Sequence, residues 1–194
     1  MKKLSRKTKS DFIFWGILIV FASYLFLTPS GENTRAWVTG LVLSSPNNSL
    51  EQSNIIVKQD WQLMTTNGDE VWLSDLKKPI FINIWATWCP PCRSEMPSIF
   101  ELEAIYKDKV DFLLISPGES IEKLKTFAKQ KGYTSTLYNA ASRTPSSLET
   151  GSYPTTYILN ANKKLILKSV GAHDWNAKSV HNILDKLIEE QAAN

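Results

Sequence analysis

The two cysteines of the chain, Cys89 and Cys92, are separated only by two prolines. The run Ile80 to Ile84 before them is apolar and β-branched, which predicts a buried strand, and the run Ser98 to Lys107 after them has helical periodicity. Cys89 is therefore expected at a strand-to-helix turn, where free backbone N–H groups and the helix dipole favour a thiolate. Because a thiolate is the attacking species in disulfide exchange, this spacing predicts a two-electron redox pair.

Three other uses of the cysteines are open: a structural disulfide, half of a zinc site, and two inert thiols. Structural zinc takes four ligands, commonly from a second Cys or His pair. The two histidines, His173 and His181, lie far away in the sequence. A disulfide that closes so short a loop removes little chain entropy. The residues therefore favour redox exchange.

The segment around the cysteines, WATWCPPCRSEMP, resembles the active site of the thioredoxin superfamily, specifically its membrane-anchored TlpA/ResA-like disulfide reductases. In that branch a tryptophan precedes the first cysteine and a proline follows the second by five positions, as Trp88 and Pro97 do here. An asparagine replaces the buried acid of cytoplasmic thioredoxins, and this position falls on Asn83. A glutamate follows the second cysteine by three positions, which falls on Glu95.

The similarity extends from about Ser53 to the C-terminus and includes a second motif. The sequence GSYPTTYIL, residues 151–159, resembles the family's cis-proline loop and the strand after it. In the family this loop faces the first cysteine and forms backbone hydrogen bonds with an extended substrate strand. The resemblance therefore implies a cis peptide at Pro154 and a substrate-contact site of Trp88, Tyr153, Pro154 and Thr155.

The resemblance implies a protein disulfide reductase that needs no cofactor or metal besides its own Cys89–Cys92 disulfide. In this role Cys89 attacks a client disulfide and Cys92 resolves the mixed disulfide. Glu95 is implied as a partly buried acid that favours the protonated thiol by repulsion and relays a proton to or from Cys92. From the sequence alone, Glu95 is also compatible with a surface position in the first turns of a helix, where the dipole favours an acid.

The expected partners are client proteins whose cysteines must be reduced before a cofactor is inserted. Apocytochrome c before haem attachment and a copper-site subunit are the clients that the resemblance implies. The expected electron donor is a membrane carrier of the CcdA/DsbD type.

The prolines between the cysteines favour a reductase over an oxidase. Proline has no N–H, so Pro90 and Pro91 remove two potential donors to the Cys89 sulfur and leave mainly the N–H of Cys92. A less stabilised thiolate makes the reduced form less stable, which lowers the reduction potential.

Three alternative functions remain. A disulfide oxidase or isomerase is disfavoured because the short connections leave no room for the helical subdomain of DsbA-like proteins. A copper-handling module would need Met or His partners beyond Met96. A peroxidase would need an arginine and threonine arrangement that the residues around Cys89 do not offer.

The first thirty residues predict a membrane anchor. Residues 1–10 hold five cations and no acid, and the twenty residues of 12–31 carry no charge. At 1.5 Å per residue, a helix of that length spans about 30 Å, the thickness of a bilayer core. The predicted organisation is a basic cytoplasmic tail over 1–11, one transmembrane helix over 12–31, a linker over 32–52 and a thioredoxin-like domain over 53–194. A cleaved signal peptide is the alternative, but no A-x-A pattern follows the apolar run.

The distribution of charge predicts the compartment. Because a cationic flank stays in the cytoplasm, we expect a single-pass protein of the bacterial inner membrane whose domain faces the periplasm or the cell exterior, an oxidising compartment. Apart from the five leader cations, the chain holds 17 basic and 19 acidic residues. This balance predicts no basic face that would bind nucleic acid. Within the linker, the apolar run 37–43 is compatible with packing on the domain, lying among lipid headgroups or binding a partner.

The remaining patterns predict an α/β thioredoxin-like fold, with a mixed central sheet and helices on both sides. Alternating residues around Asn67-Gly68 predict an N-terminal β-hairpin. The order strand, helix, strand, helix over residues 80–131 predicts a parallel βαβ core with right-handed crossovers. Ser120 is the predicted N-cap of the second helix, and Gly132 its stop. A hairpin over 155–170 and an amphipathic helix over 180–190 complete the domain.

Overall fold

A computed structural model describes residues 6–27, 43–46 and 54–193, with the side chains of 11–24 in the first of these ranges. The chain divides into two compact units, residues 1–42 and 43–194. The start of the predicted tail, the end of the predicted anchor and most of the predicted linker lie outside the described residues.

The described part of the first unit is one helix, α1 (Arg6–Leu27). Large apolar side chains along it, including Phe12, Trp15 and Phe21, are exposed. Over the described ranges of the chain, no helix meets the combined length and apolarity required to cross a membrane.

The second unit is built on one seven-stranded mixed sheet in the order β2-β1-β5-β4-β3-β6-β7. Its strands are β1 (Gln62–Thr65), β2 (Glu70–Trp72), β3 (Ile80–Ile84), β4 (Asp111–Ile115), β5 (Leu137–Ala140), β6 (Thr155–Leu159) and β7 (Leu165–Val170). Its helices are α2 (Pro90–Tyr106), α3 (Ile121–Lys131) and α4 (Lys178–Ala192). The predicted thioredoxin-like α/β arrangement of a mixed sheet with helices is confirmed.

The predicted N-terminal hairpin is present as β1 and β2. Its turn is closed by the amide of Thr65, which donates to the carbonyl of Asp69 over 2.8 Å, and Gly68 adopts the positive φ of 96° that the turn requires. β1 also pairs antiparallel with β5. The hairpin is therefore part of the main sheet.

The three α-helices described in the second unit bury their apolar faces in one core, so the expectation of α-helices on both sides of the sheet is wrong. Met96 of α2, Leu124 of α3 and Leu184 of α4 belong to the same buried cluster. The other face packs against non-helical or single-turn segments that include Trp61 and Leu148. The reason is topological: β3, β4 and β5 follow one another in one direction across the sheet, and right-handed crossovers then place both connecting helices on one face.

The central strand β3 positions the site. Side chains alternate along a strand, and Phe81 and Trp85 lie in the helix-covered core, so Asn83 between them points toward the same face. Asn83 pairs with Thr156 on β6. The residues that follow β3 lead directly to Cys89.

Candidate active site

Cys89 and Cys92 form a disulfide at the N-terminus of α2, with their Cα atoms 5.3 Å apart. Cys89 is the N-cap of this helix and has extended backbone angles. Its sulfur accepts a hydrogen bond of 3.3 Å from the amide of Cys92. This is the role that a Ser or Asp side chain performs at most helix starts, so the predicted strand-to-helix placement is confirmed.

The two cysteines are more deeply buried in the oxidised protein than is expected for a nucleophile at an open turn. Cys89 keeps 3% of its surface exposed and Cys92 none. Of the two cysteines, only Cys89 retains surface that another molecule can contact. This asymmetry agrees with the predicted order of attack by Cys89 and resolution by Cys92.

The loop before β6 lies beside the cysteines, and its Tyr153–Pro154 peptide is cis, as the resemblance implies. The rings of Trp88 and Tyr153 meet edge to face with centroids 5.9 Å apart. Trp88 is 64% exposed, whereas Pro154 and Thr155 are buried. Thr155 pairs with Ile84, the last residue of β3. The predicted substrate-contact residues thus border the Cys89 segment.

Glu95 lies fully buried, one turn of α2 beyond Cys92. Its carboxylate accepts hydrogen bonds from the side chains of Asn83 and Trp175, each at 2.8 Å, and from the amide of His173 at 3.1 Å. Burial raises the pKa of Glu95 to about 7, and the three hydrogen bonds oppose this rise only in part. The alternative of a surface glutamate is therefore wrong.

Asn83 holds Glu95 through its amide group. Its Nδ2 donates to Glu95 and to the hydroxyl of Thr156, both over 2.8 Å. Its Oδ1 has no hydrogen-bond partner among the described residues. Because an amide does not titrate, Asn83 orients the carboxyl group of Glu95 without exchanging a proton.

Two residues that hold Glu95 were not predicted from the sequence, namely Trp175 and His173 in the loop between β7 and α4. The ring of Trp175 packs edge to face against Phe81, with centroids 5.2 Å apart. Asp174 between them donates its amide to the carbonyl of Ser44 over 3.0 Å. Part of the predicted linker, residues 43–46, thus contacts the loop that holds the buried acid.

A second carboxylate, Glu119, was not predicted from the sequence and fixes the segment before Cys89. It accepts from the amide and the hydroxyl of Thr87, at 2.9 and 2.6 Å, and from the hydroxyl of Ser116 at 2.5 Å. It also pairs with Lys123. Partial burial alone raises a carboxyl pKa, but these partners outweigh it and lower the pKa of Glu119 to about 2. A fixed negative charge therefore ties the Thr87 backbone to the loop after β4.

One signal identifies Glu119 in retrospect. It follows Pro117-Gly118 at the carboxyl end of β4, and β4 is the parallel neighbour of β3. Carboxyl ends of adjacent parallel strands meet at one edge of a sheet, so a polar residue there faces the segment that follows β3. Among residues 6–27, 43–46 and 54–193, no cluster of His, Cys, Asp or Glu has a composition able to hold a metal ion.

A family profile described as AhpC/TSA matches residues 57–168. The chain belongs to the AhpC/TSA family. It is 32% identical over 130 residues to the thioredoxin-like protein YneN of Bacillus subtilis, a match that covers 65% of this chain and 75% of YneN. It is also 35% identical over 106 residues to the thiol-disulfide oxidoreductase ResA of Geobacillus kaustophilus. That match covers 53% of this chain and 61% of ResA, so the chain spans about three fifths of that relative.

The fold is shared with solved thioredoxin-like structures. A DsbE thiol:disulfide interchange protein of Chlorobium tepidum superposes with a TM-score of 0.61 at 22% identity, covering 70% of this chain and 98% of that one. The predicted resemblance to thioredoxin-like disulfide oxidoreductases is confirmed. With its redox pair, this AhpC/TSA-family chain is a thiol–disulfide oxidoreductase.

Proposed function

We propose that the chain reduces disulfides of client proteins outside the cytoplasm. The observation that carries this proposal is the Cys89–Cys92 pair at the start of α2, next to the cis Tyr153–Pro154 loop. A helix N-terminus stabilises a sulfur anion, and the loop supplies an edge on which an extended polypeptide can lie.

The reaction starts from the reduced dithiol. The Cys89 thiolate attacks a sulfur of the client disulfide, forms a mixed disulfide and releases one client thiolate. Cys92 then attacks the Cys89 sulfur, which releases the second client thiolate and closes the protein's disulfide. Two electrons pass from the dithiol to the client, and its two thiolates take up two protons. Because Glu95 has a pKa of about 7, it can accept the Cys92 proton near neutral pH.

The donors around Cys89 support electron flow from the dithiol to the client. The amide of Cys92 donates to its sulfur, whereas Pro90 and Pro91 contribute no N–H. The helix N-terminus stabilises the sulfur anion less when these two N–H groups are missing, so the dithiol gives up its electrons more readily than it would with both present. We therefore propose a reductase, with a membrane carrier of the CcdA/DsbD type as its electron source.

The location is proposed from the sequence. The basic residues 1–10 and the uncharged run 12–31 support a single-pass anchor in the bacterial cytoplasmic membrane, with the domain facing the periplasm or cell exterior. Apocytochrome c and a copper-site subunit are the proposed clients. Protease added to intact spheroplasts should degrade the domain, and a chain that begins at residue 32 should be protected inside them.

Trapping tests the activity. A Cys92→Ala variant lacks the resolving thiol, so mixed disulfides through Cys89 should accumulate in cells and disappear on reduction. The matched control is Cys89→Ala, which keeps a buried thiol at position 92 and should trap little. Equal trapping by both variants, or none by either together with no reduction of insulin by the unsubstituted chain, contradicts the proposal. Mass spectrometry of the adducts identifies the client.

A further inference from the structure

A groove of about 470 Å³ opens beside the cis-proline loop. Its apolar lining comes from Ile84, Pro117, Leu148 and Tyr153. The rest of the lining is two charged residues, two threonines and a glycine, namely Arg143, Glu149, Thr144, Thr150 and Gly151. This volume lies within the range of pockets that bind small ligands or side chains, about 300–1,000 Å³. The proposed reaction uses none of these residues except Tyr153.

The wall of the groove is held in place by hydrogen bonds to the sheet. The hydroxyl of Tyr157 on β6 donates to the carbonyl of Leu148 over 3.1 Å. The amide of Ser146 donates to the side chain of Gln59 over 2.8 Å, and the hydroxyls of Thr150 and Thr155 lie 2.8 Å apart. The connection between β5 and β6 is thus fixed at several points, and the groove needs little ordering before it binds a ligand.

Tyr153 links this groove to the redox pair. It lines the groove, and its ring contacts Trp88, the neighbour of Cys89. Ile84, the last residue of β3, also lines the groove and pairs with Thr155 of the cis-proline loop. A polypeptide whose disulfide meets Cys89 therefore passes the groove within a few residues, since an extended chain advances about 3.3 Å per residue.

The charges of the groove neutralise each other. A guanidinium nitrogen of Arg143 lies 3.5 Å from a carboxylate oxygen of Glu149. A charged client side chain would lose its hydration beside the apolar lining and find no unpaired opposite charge in this pair. An uncharged apolar side chain gains from the same burial.

From this arrangement we infer that the groove is a specificity subsite, which binds one large apolar side chain of the client a few residues from its reacting cysteine. The inference rests on the proposed function and adds the class of client segment that reacts fastest.

A set of peptides tests the inference. Each peptide has one cysteine, held as a mixed disulfide with a small thiol, in a background of serine and glycine. One phenylalanine is moved residue by residue along either side of the cysteine. The full chain, reduced beforehand and freed of reductant, should cleave one or two neighbouring members in a single turnover with a second-order rate constant about tenfold higher than that for the peptide without phenylalanine. Aspartate at the same position should remove the gain.

A variant that fills the groove provides the second measurement. Gly151 lines the groove, and a Cβ placed there meets no atom within 4 Å. Gly151→Phe should abolish the preference for phenylalanine, so that the phenylalanine peptides and the serine–glycine peptide react with this variant at one common rate. Glu189→Phe is the matched control, because it adds the same ring at an exposed position of α4 that does not line the groove.

The outcomes separate the two proposals. If the reduced chain cleaves no peptide and no small disulfide, the proposed function fails. If it cleaves all peptides at one rate, the activity stands and the subsite is wrong. A positional preference that survives Gly151→Phe also overturns the subsite, and a preference lost in this variant but kept in Glu189→Phe supports it.

Discussion

The indole N–H of Trp175 donates to the buried carboxylate of Glu95 over 2.8 Å. The two residues lie 80 positions apart in sequence, one in the loop before α4 and the other in the first turns of α2. The acid proposed to exchange protons with the cysteines is thus held by a side chain from the far end of the domain. Substitutions at either residue can be used to test that role.

The free energy of unfolding should fall as the pH rises toward neutrality because of Glu95. Burial raises its pKa to about 7 from the ordinary 4.5, so between these values the folded protein retains a proton that the unfolded chain has released. This stabilisation is complete below the unfolded pKa and lost above the folded one. The stabilisation amounts to about 3 kcal/mol, because each pKa unit corresponds to about 1.4 kcal/mol.

Urea unfolding at pH values below, within and above this interval measures the effect. Glu95→Gln should flatten the dependence and make the protein more stable than the unsubstituted chain above neutral pH. Glu101→Gln, at an exposed position of the same helix, should leave the dependence intact. A dependence that persists unchanged in Glu95→Gln would assign it to another group.

Trp175→Phe should raise the pKa of Glu95 further, because it removes one donor to the carboxylate and keeps an aromatic ring in the core. A hydrogen bond to a charged group contributes about 1.5–3 kcal/mol, which corresponds to an upward shift of roughly one to two units. NMR titration of labelled glutamate carboxyl groups measures it. His173→Ala is the control: His173 contacts Glu95 through its backbone amide, so this variant should leave the pKa nearly unchanged. Equal shifts in both variants would contradict a specific role for the indole.

Local patterns allowed much of the fold to be predicted. The helix over 121–131 was predicted with its bounds because both ends carry local signals: the Ser120 hydroxyl accepts from the amide of Lys123, and Gly132 has a φ of 71°. The pairing of β1 with β5 was not predicted, because it joins segments about 75 residues apart without a turn between them.

The site residues also divide into those that a local motif predicts and those that only tertiary packing brings together. Cys89, Cys92 and Glu95 lie within seven positions of one another in the motif that carries the family resemblance, and the buried position of Glu95 was implied by that resemblance alone. Trp175 and Glu119 reach the site only through tertiary packing. Trp175 stands in no pattern of its own, and the one signal at Glu119 is its position at the carboxyl end of β4, beside the end of β3. The enclosure of the cysteines was not predicted either, since it depends on neighbours from several elements.

Glu119→Gln should loosen the segment before Cys89. The amide keeps the size of the side chain but loses the charge that pairs with Lys123 and turns an N–H₂ group toward the donors on Thr87 or Ser116. We expect a loss of about 1–3 kcal/mol in the free energy of unfolding, a lower kcat/KM and faster hydrogen exchange at the Thr87 amide. Glu122→Gln, exposed on α3, should change none of these.

The pH dependence of stability provides a check on the same residue. The pKa of Glu119 is lowered to about 2 from 4.5, so its contribution is present above the unfolded value and lost as the pH falls toward the folded one. The unsubstituted protein should therefore lose stability in acid, and Glu119→Gln should lose less. An identical acid response in the two proteins would exclude Glu119 as its source.

Pro91→Ala should make the redox pair less reducing. Pro91 is the second residue of α2, and an N-cap side chain accepts from the amide of the second or third helical residue. Only the third, Cys92, offers an amide to the Cys89 sulfur here. Alanine at position 91 supplies the missing N–H, which stabilises the Cys89 thiolate and hence the reduced form. A hydrogen bond of about 1 kcal/mol corresponds to a rise of roughly 20 mV in the reduction potential.

Equilibration with glutathione buffers and quantification of free thiols measure this potential. Pro97→Ala is the control, because Pro97 lies inside the same helix beyond Cys92. Restoring its N–H can change the stability of α2 but adds no donor at the Cys89 sulfur, so the potential should stay at the unsubstituted value. If Pro91→Ala leaves the potential unchanged or lowers it, the absent amides do not set the reducing character of the pair. The direction of electron flow would then need another physical cause.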